Sequence, residues 1–459
     1  MDRITVRIPQ LTVEEQLLAL ARGGAHVAIA TAGLHRRPEG VVFIYRDLPP
    51  HTRDLAQAGS RIAAQGLCPL VLGLSAQPPT ARLVSSWLQE LGAAGAQTAA
   101  ALTFVESERE LSVWGAARVE GQLCPIGELC LPGPGMLTIP VHPRPPKGAD
   151  AEEPLAGAPS GAPESEQGQA STNGRWSRLA AAIGDADVPR GYELLARLAQ
   201  LHVVLVGCGR EGELVSWRLG ENGVGALGSL TLVDGDVVQE ANLGVLLPPQ
   251  TVNSHKAEAV AALVKVLAPW CQLTPLVATL SDREVLDLIM HSDVAITCVD
   301  NPAARLGVAV LCARHGVVHL DATGGTAYTA DGQVAVGGEV RVALPGSPGC
   351  VGCMERTDRR QALANLSLTP AAELLQRTST NWLQQRPGSW LEVLLPVVGE
   401  LVQELIRVVQ GKRRRSIWLH YWHGAEEVPC WEDWTVQAQG VSPQCPVCSP
   451  WGVRGRGDL

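Results

Sequence analysis

Four of the twelve cysteines form two Cys-x-x-Cys pairs, Cys350 with Cys353 and Cys445 with Cys448. Two thiolates at this spacing can bind one metal ion, and two such pairs fill the tetrahedral ligand set of a structural zinc site. The pairs are much further apart than in a zinc finger, so the ion would fasten the C-terminal tail onto its domain. Two independent redox dithiols are the alternative, which the lack of a thioredoxin-type context disfavours. We therefore predict one structural Zn²⁺ bound by all four cysteines.

A glycine-rich turn joins two apolar segments of strand character, Val203–Val206 and Leu230–Val233, with a helix-like segment between them. The glycines let backbone N–H groups approach a phosphate at a helix N-terminus, and an acid after the second strand accepts ribose hydroxyls. A glycine turn in an ordinary βαβ crossover is the alternative, which the complete strand–turn–helix–strand–acid context disfavours. The predicted nucleotide-binding residues of this unit are Gly207, Gly209, Gly212, Asp234 and Asp236.

The composition predicts a soluble globular protein of more than one domain, with 46% hydrophobic and 18% charged residues in a chain of 459. A net charge of −9 supplies no basic face for nucleic acid. The chain has neither an apolar run of transmembrane length nor a signal peptide, so we expect a cytoplasmic protein without a membrane partner. In that compartment, cysteines more often bind metal ions or act in catalysis than form disulfides.

The hydrophobic patterns divide the chain into three regions. Residues 1–143 alternate like the strands and helices of a small α/β domain, and 144–173 are rich in Pro, Gly, Ala, Ser and Glu, as in a flexible linker. Residues 174–459 contain the nucleotide-binding unit. The predicted fold is α/β, a Rossmann-like doubly wound sheet with an antiparallel extension over Gln333–Val336 and Glu339–Leu344, preceded by the smaller α/β domain.

The chain from Arg175 to Cys448 resembles the ubiquitin-activating-enzyme superfamily, which includes the ThiF-type adenylyltransferases. Members use ATP to adenylate the C-terminal glycine of a ubiquitin-like or sulfur-carrier protein, and they are commonly homodimers. The motifs that carry the resemblance are Arg175-Trp176-Ser177-Arg178, the glycine turn, Val233-Asp234-Gly235-Asp236, Asn242-Leu243, Lys256-Ala257-Glu258, Val299-Asp300-Asn301 with Arg305, and the two cysteine pairs.

The resemblance implies a role for several of these residues. Asp300 would hold Mg²⁺, Lys256 would bind the phosphates of ATP, and Asp234 would bind the ribose. Arg178 would reach the ATP of a partner subunit. The residues expected to support the nucleotide are Asn242 and Asn301. Taken singly, Lys256 would be a surface lysine on a helix and Asp300-Asn301 a helix cap, but their joint occurrence favours the nucleotide site.

The sequence departs from the family at the cation that faces the phosphates. Asn242-Leu243 is followed by Gly244-Val245-Leu246, whereas the family has an Arg-Gln pair whose arginine contacts ATP across the dimer interface. Arg178 or Arg210 would have to supply the missing charge. Arg210 also replaces a glycine of the usual turn, where its side chain would crowd the phosphate.

A second departure concerns the thioester that some members form. The segment 377–392, which corresponds to the crossover loop of those members, contains no cysteine. Cys430 is the remaining candidate, but its acidic neighbours are expected to raise its pKa and weaken it as a nucleophile. We therefore expect adenylation without a thioester step on this chain, with Cys430 as the exception to test.

The first region resembles a degenerate JAB/MPN metalloprotease domain. In the best register of that family's zinc motif, Ser75 and Gln77 stand at the histidine positions, Ser85 matches the serine, and Leu88 replaces the aspartate. Because these side chains cannot bind zinc, we expect no protease activity. An unrelated partner-binding α/β domain is the alternative. Under either interpretation, this region would bind a ubiquitin-like protein or a partner enzyme, for which a conjugating enzyme is a candidate.

The predicted function is ATP-dependent adenylation of a ubiquitin-like or sulfur-carrier protein. A scaffold that has lost activity is the main alternative, because the trans arginine and the thioester cysteine are missing. Lys256 and Asp300 argue against it, since a scaffold needs neither. An NAD-dependent oxidoreductase would leave Lys256, Asp300 and the cysteine pairs unexplained. A transfer-RNA-modifying cyclase would need a basic RNA-binding face, which the sequence lacks.

Overall fold

A computed structural model of the chain describes residues 3–10, 12–15, 27–37, 40–47, 55–75, 81–106, 111–142, 169–243, 245–328, 334–354, 390–423, 430–433, 445–449 and 452–457. Within these ranges the chain builds two β-sheets, one of nine strands and one of eight. Each sheet has its own main hydrophobic cluster.

The first sheet is mixed, with the strand order β5-β4-β2-β3-β1-β8-β9-β6-β7. Its strands are β1 (Arg3–Arg7), β2 (Val27–Arg37), β3 (Gly40–Asp47), β4 (Cys68–Ser75), β5 (Ala99–Glu106), β6 (Leu111–Val119), β7 (Gln122–Pro125), β8 (Glu128–Leu131) and β9 (Leu137–His142). Two helices, α1 (Leu55–Ala64) and α2 (Ala81–Ala93), pack against it through a second apolar cluster. Ser75 ends β4, and Ser85 and Leu88 lie on α2.

The second sheet has the order β12-β11-β10-β13-β14-β15-β16-β17, in which β12 to β14 are parallel and the last three strands are antiparallel to their neighbours. Its strands are β10 (His202–Val206), β11 (Ser229–Val233), β12 (Leu273–Leu276), β13 (Val294–Thr297), β14 (Val318–Tyr328), β15 (Val334–Ala343), β16 (Ile417–His423) and β17 (Cys430–Asp433). This arrangement confirms the predicted Rossmann-like sheet with an antiparallel extension.

Helices cover the second sheet. They are α3 (Gln169–Ile183), α4 (Val188–Gln200), α5 (Arg210–Glu221), α6 (Lys256–Leu267), α7 (Arg283–His291), α8 (Pro302–His315), the short α9 (Val351–Met354) and α10 (Leu391–Val409). The apolar face of α10 packs on β14 and β15. No helix within the described ranges has both the length and the apolar character needed to cross a membrane.

Some elements differ from the expectation. The segments expected as two strands form one, β15 (Val334–Ala343), because the pairing with β14 continues across Gly337 and Gly338. Gln333 lies outside the described residues, and Leu344 follows the end of the strand. Helix α3 begins at Gln169, inside the stretch expected to be linker, and the rest of that stretch lies outside the described residues.

The order of the strands creates a crevice between β10 and β13. The chain runs outward from β10 through β11 to β12 and then returns to the other side of β10 as β13. In open α/β sheets, ligands bind beyond the carboxyl ends of the strands at such a reversal. The glycine turn follows β10 and Asp300 follows β13, so both reach this crevice.

Candidate nucleotide site and cysteine cluster

The glycine turn packs too tightly for side chains at two of its positions. Gly207 has φ 97°, and a Cβ there would lie 2.5 Å from the carbonyl oxygen of Cys298. A Cβ on Gly212 would lie 1.8 Å from the carbonyl oxygen of Gly207. Gly209, the N-cap of α5, has open space on its Cβ side. The turn is thus held against the end of β13, and a phosphate can approach the N-terminus of α5.

Asp234 binds the turn from the end of β11. Its Oδ2 accepts a hydrogen bond from the amide of Cys208 at 2.7 Å, and its Oδ1 accepts one from the amide of Asp236 at 2.8 Å. Burial raises the pKa of Asp234, although these two bonds and Lys256 oppose the rise. Each carboxylate oxygen has further lone pairs, so the ribose role remains compatible with this positioning role.

Lys256 is the first residue of α6 and points toward the same edge. Its Nζ lies 2.8 Å from Oδ2 of Asp236, and its amide donates to the carbonyl oxygen of Asp236 at 2.9 Å. The lysine side chain is 14% exposed, whereas that of Asp236 is 75% exposed. The ammonium group is therefore fixed beside the glycine turn by an acid that solvent or ligand can reach.

Asp300 and Asn301 lie on the other side of the turn. Asn301 is the N-cap of α8, and its Oδ1 accepts a hydrogen bond from the amide of Ala303 at 2.8 Å. The capping role considered from the sequence is thus present for Asn301, and contact with the nucleotide remains a prediction. Asp300 is exposed, and its role in holding Mg²⁺ remains a prediction.

A buried ion-pair network fixes the backbone just before Asp300. Arg305, 3% exposed, donates from Nε to Oδ1 of Asp321 at 2.7 Å and from Nη2 to the carbonyl oxygen of Val299 at 2.7 Å. Arg341 donates to Oδ2 of Asp321 at 2.5 Å. Burial alone would raise the pKa of Asp321, but the two guanidinium groups outweigh it and the pKa is lowered. The sequence indicated Arg305 but not its partners.

Glu213 is a second functional candidate that the sequence did not indicate. It lies on α5, is 1% exposed, and accepts a hydrogen bond from the amide of Leu246 at 2.7 Å. Burial raises its pKa to about 7, against the opposing effects of the Leu246 and Leu247 amides and of Arg210. Glu213 therefore anchors the segment that stands where relatives are expected to carry their trans arginine. The sequence could not have indicated Glu213, because acidic residues are common on helices and nothing local shows that this one is buried.

The remaining candidates have mainly local contacts. Oδ1 of Asn242 accepts from the amide of Gln239 at 2.9 Å and closes a short 3₁₀ helix, Glu240–Asn242. Arg178 is exposed on α3, and Arg210 is the first residue of α5. Cys430 begins β17, where its backbone pairs with Trp422.

The four predicted zinc ligands come together. All their Sγ atoms lie within 4.8 Å of one another, with 4.0 Å between Cys350 and Cys445 and 3.6 Å between Cys353 and Cys448. A tetrahedral zinc with Zn–S bonds of about 2.3 Å places its sulfurs about 3.8 Å apart, whereas a disulfide bond is about 2.05 Å long. Hydrogen bonding from Cys350 lowers the pKa of Cys353, whereas hydrogen bonding from Cys353 raises the pKa of Cys350. The cluster therefore fits a metal ion.

Comparisons with known proteins agree with this geometry. The model of the ThiF family matches residues 179–445, more than half of the chain. The molybdopterin-synthase adenylyltransferase of Escherichia coli is 30% identical over 190 residues, which are 40% of this chain and 72% of that protein. The SAMP-activating enzyme E1 of Haloferax volcanii is 30% identical over 199 residues, 38% of this chain and 71% of that enzyme.

Two further matches are more limited. The bovine adenylyltransferase and sulfurtransferase MOCS3 is 33% identical over 148 residues, which are 32% of this chain and only 31% of that protein. The solved structure of E. coli MccB with ATP is 18% identical and aligns over 60% of this chain and 74% of its own, with a TM-score of 0.46, too low for a functional argument. From the family match and the relatives of high coverage, the chain belongs to the ThiF family and is an adenylyltransferase of that family.

Proposed function

We propose that this protein uses Mg·ATP to adenylate the C-terminal carboxylate of a ubiquitin-like or sulfur-carrier protein. Three features at the β10/β13 crevice support the proposal. The glycine turn has open space at Gly209, the ammonium group of Lys256 is held by Asp236, and the carboxylate of Asp300 is exposed. The ThiF relatives support the type of reaction and the class of substrate.

In the proposed reaction, an oxygen of the carrier's terminal carboxylate bonds to the α-phosphorus of ATP. The bond between that phosphorus and the bridging oxygen breaks, leaving an acyl-adenylate and pyrophosphate. The amides at the start of α5 would bind a phosphate, Lys256 would balance its negative charge, and Asp234 would accept the ribose hydroxyls. Mg²⁺, held by Asp300, would neutralise phosphate oxygens when bound.

The charge near the phosphates differs from that expected for the family. Lys256 already pairs with Asp236 at 2.8 Å, so phosphate binding would require the ammonium group to be shared or released. Arg178 of a second copy or Arg210 of the same chain would supply the charge that the Gly244-Val245-Leu246 segment lacks. A homodimer, in which Arg178 of one copy would reach the ATP of the other, is also part of the proposal, as is transfer of the adenylate without a thioester on Cys430.

The proposal also assigns a task to each region of the chain. Residues 174–459 would form the adenylation domain, with Zn²⁺ on the cysteine cluster. Residues 1–143 would bind the carrier or a partner enzyme, and 144–173 would link the two domains.

Thermal unfolding with Mg·ATP, with ATP plus chelator, and with NAD tests the proposal. Ligand at a hundredfold its dissociation constant adds about 2.7 kcal/mol, which for a domain of this size raises Tm by roughly 5–10 °C. We expect that shift with Mg·ATP only, with loss in Asp300→Ala. Asp287→Ala, which removes a half-buried carboxylate from α7, should keep it.

A shift with NAD instead would contradict the proposal, and no shift with any nucleotide would favour a scaffold. A second measurement tests the reaction itself. Purified carriers ending in glycine are incubated with α-labelled ATP, and the proposal expects a labelled carrier adenylate with wild type and none with Asp300→Ala.

A further inference from the structure

The C-terminal tail, residues 452–457, lies between the first sheet and helix α8. On one side, the amide of Gly33 in β2 donates to the carbonyl oxygen of Gly455 at 3.1 Å, and Leu34 forms a β-bridge with Gly457. On the other side, the amide of Gly455 donates to the carbonyl oxygen of Ala313 at 2.9 Å, near the end of α8. The tail is therefore bonded to the first sheet and to the adenylation domain at the same time.

Glycines make this close contact possible. A Cβ on Gly33 would lie 2.1 Å from the carbonyl oxygen of Arg456, and a Cβ on Gly455 would lie 2.2 Å from that of Tyr45. Gly455 and Gly457 also have φ values of 63° and 64°, which side chains other than glycine rarely adopt. Backbone thus meets backbone along the tail, and a single methyl group would separate the surfaces.

The position of the tail depends on the cysteine cluster. Cys445 and Cys448 are joined to the tail by a compact turn in which the amide of Val453 donates to the carbonyl oxygen of Pro446 at 3.0 Å. Their sulfur partners, Cys350 and Cys353, lie on or beside α9, which packs on α8. An ion bound by all four thiolates would tie this turn to α8 and leave the tail little freedom.

The tail acts together with direct contacts between the domains at the same place. Arg7 of β1 donates to the carbonyl oxygens of His315 and Ser292, at 3.1 and 3.4 Å. The Nε2 atoms of His35 and His291 lie 3.0 Å apart. These contacts surround the end of α8 that the tail also binds, so displacement of the tail would open one side of the interface.

We propose that the metal-bound tail is the docking surface for the N-terminal domain of the same chain, so that zinc at the cysteine cluster holds the two domains together. The tail supplies the backbone groups that β2 binds, and the ion fixes where those groups lie. This role is separate from adenylation and stands whether or not the chain modifies a carrier protein.

Hydrogen–deuterium exchange of the intact chain tests the proposal, with zinc measured in the same samples. After zinc is removed by a chelator, or in Cys448→Ser, we expect exchange at Gly33 and its neighbours in β2 to rise at least tenfold. Amides of β10 and β13 should keep their protection, because they lie in the parallel core. Unchanged exchange in β2 after zinc release would overturn the proposal, and so would loss of protection throughout both sheets, which would make the ion a requirement for the whole fold.

A substitution on the other side of the interface separates docking from metal binding. Gly33→Ala places a methyl group against the tail, so we expect a full complement of zinc together with at least tenfold faster exchange at position 33 and its neighbours in β2, while Gly455, whose amide donates to the carbonyl oxygen of Ala313, keeps its protection. Gly399→Ala is the matched control, because a Cβ there meets no atom within 4 Å. If Gly33→Ala leaves the exchange of β2 unchanged, β2 does not dock on the tail.

Discussion

The buried carboxyl group of Glu213 makes the stability of the adenylation domain depend on pH. Its pKa rises from 4.5 to about 7 on folding, because burial disfavours the charged form. The folded protein therefore binds more protons than the unfolded chain between these two values, and stability falls as the pH rises through this range. The penalty is absent below the unfolded pKa and complete above the folded one.

The size of the penalty follows from the difference in pKa. One unit corresponds to about 1.4 kcal/mol, so Glu213 would destabilise the protein by roughly 3 kcal/mol above pH 7. Glu213→Gln keeps an oxygen that can accept the hydrogen bond from Leu246 but cannot ionise. At pH 8 we expect the variant to unfold about 6–12 °C above wild type, whereas at pH 4.5 the two should unfold within a few degrees of each other.

Differential scanning calorimetry at these two pH values measures the effect. Glu284→Gln, which changes an exposed acid at the start of α7, is the matched control and should behave as wild type at both. Equal displacement of Glu213→Gln at both pH values would refute the titration of Glu213, and a lower Tm at pH 8 would show that the charge is needed to hold the Leu246 segment.

Three further predictions follow from the site and the cluster. Asp321→Asn removes the charge that Arg305 and Arg341 share, and urea unfolding should show a loss of about 3–5 kcal/mol; a loss below 1 kcal/mol would contradict the network. Gly212→Ala would push the glycine turn away from α5, since its Cβ would lie 1.8 Å from the Gly207 oxygen, so the Tm shift with Mg·ATP should vanish while Gly399→Ala retains it. Cys448→Ser should lower the zinc content measured by mass spectrometry from one ion per chain to well under half, because a tetrahedral site loses one of four thiolates; undiminished zinc would refute the four-cysteine site.

The sequence predicted the parts of the site whose signal is local. The glycine turn, β10, β11 and Asp234 follow one another within a short stretch, so their order alone indicated the βαβ unit. The two cysteine pairs could also be predicted as metal ligands, because the Cys-x-x-Cys spacing within each pair is visible in the sequence. The cluster geometry agrees with that prediction, although the pairs are brought together only by the tertiary fold.

Other parts depend on register or on distant packing. Asp321 lies opposite Arg341 only because of how β14 and β15 pair, and neither strand shows this register by itself. Glu213 looked like any acid on a helix, because the hydrogen bond that it accepts from Leu246 joins residues distant in the sequence. The contact of Gly33 with the tail joins opposite ends of the chain, and no local pattern records it.

Helix α8 lies in the second domain, and its C-terminal end also contacts the first domain. Over 14 residues, about 21 Å at 1.5 Å per residue, it runs from the cap beside Asp300 to carbonyl groups that are bound by Arg7 and the tail. The guanidinium of Arg7 also places a positive charge at the negative end of this helix dipole. A protein trimmed to begin at Gln169 would lose that charge and the two hydrogen bonds of Arg7, so we expect the end of α8 to be less stable in the trimmed protein. Any comparison of activity between the trimmed and untrimmed chains would then measure a weakened end of α8 as well as the loss of the first sheet.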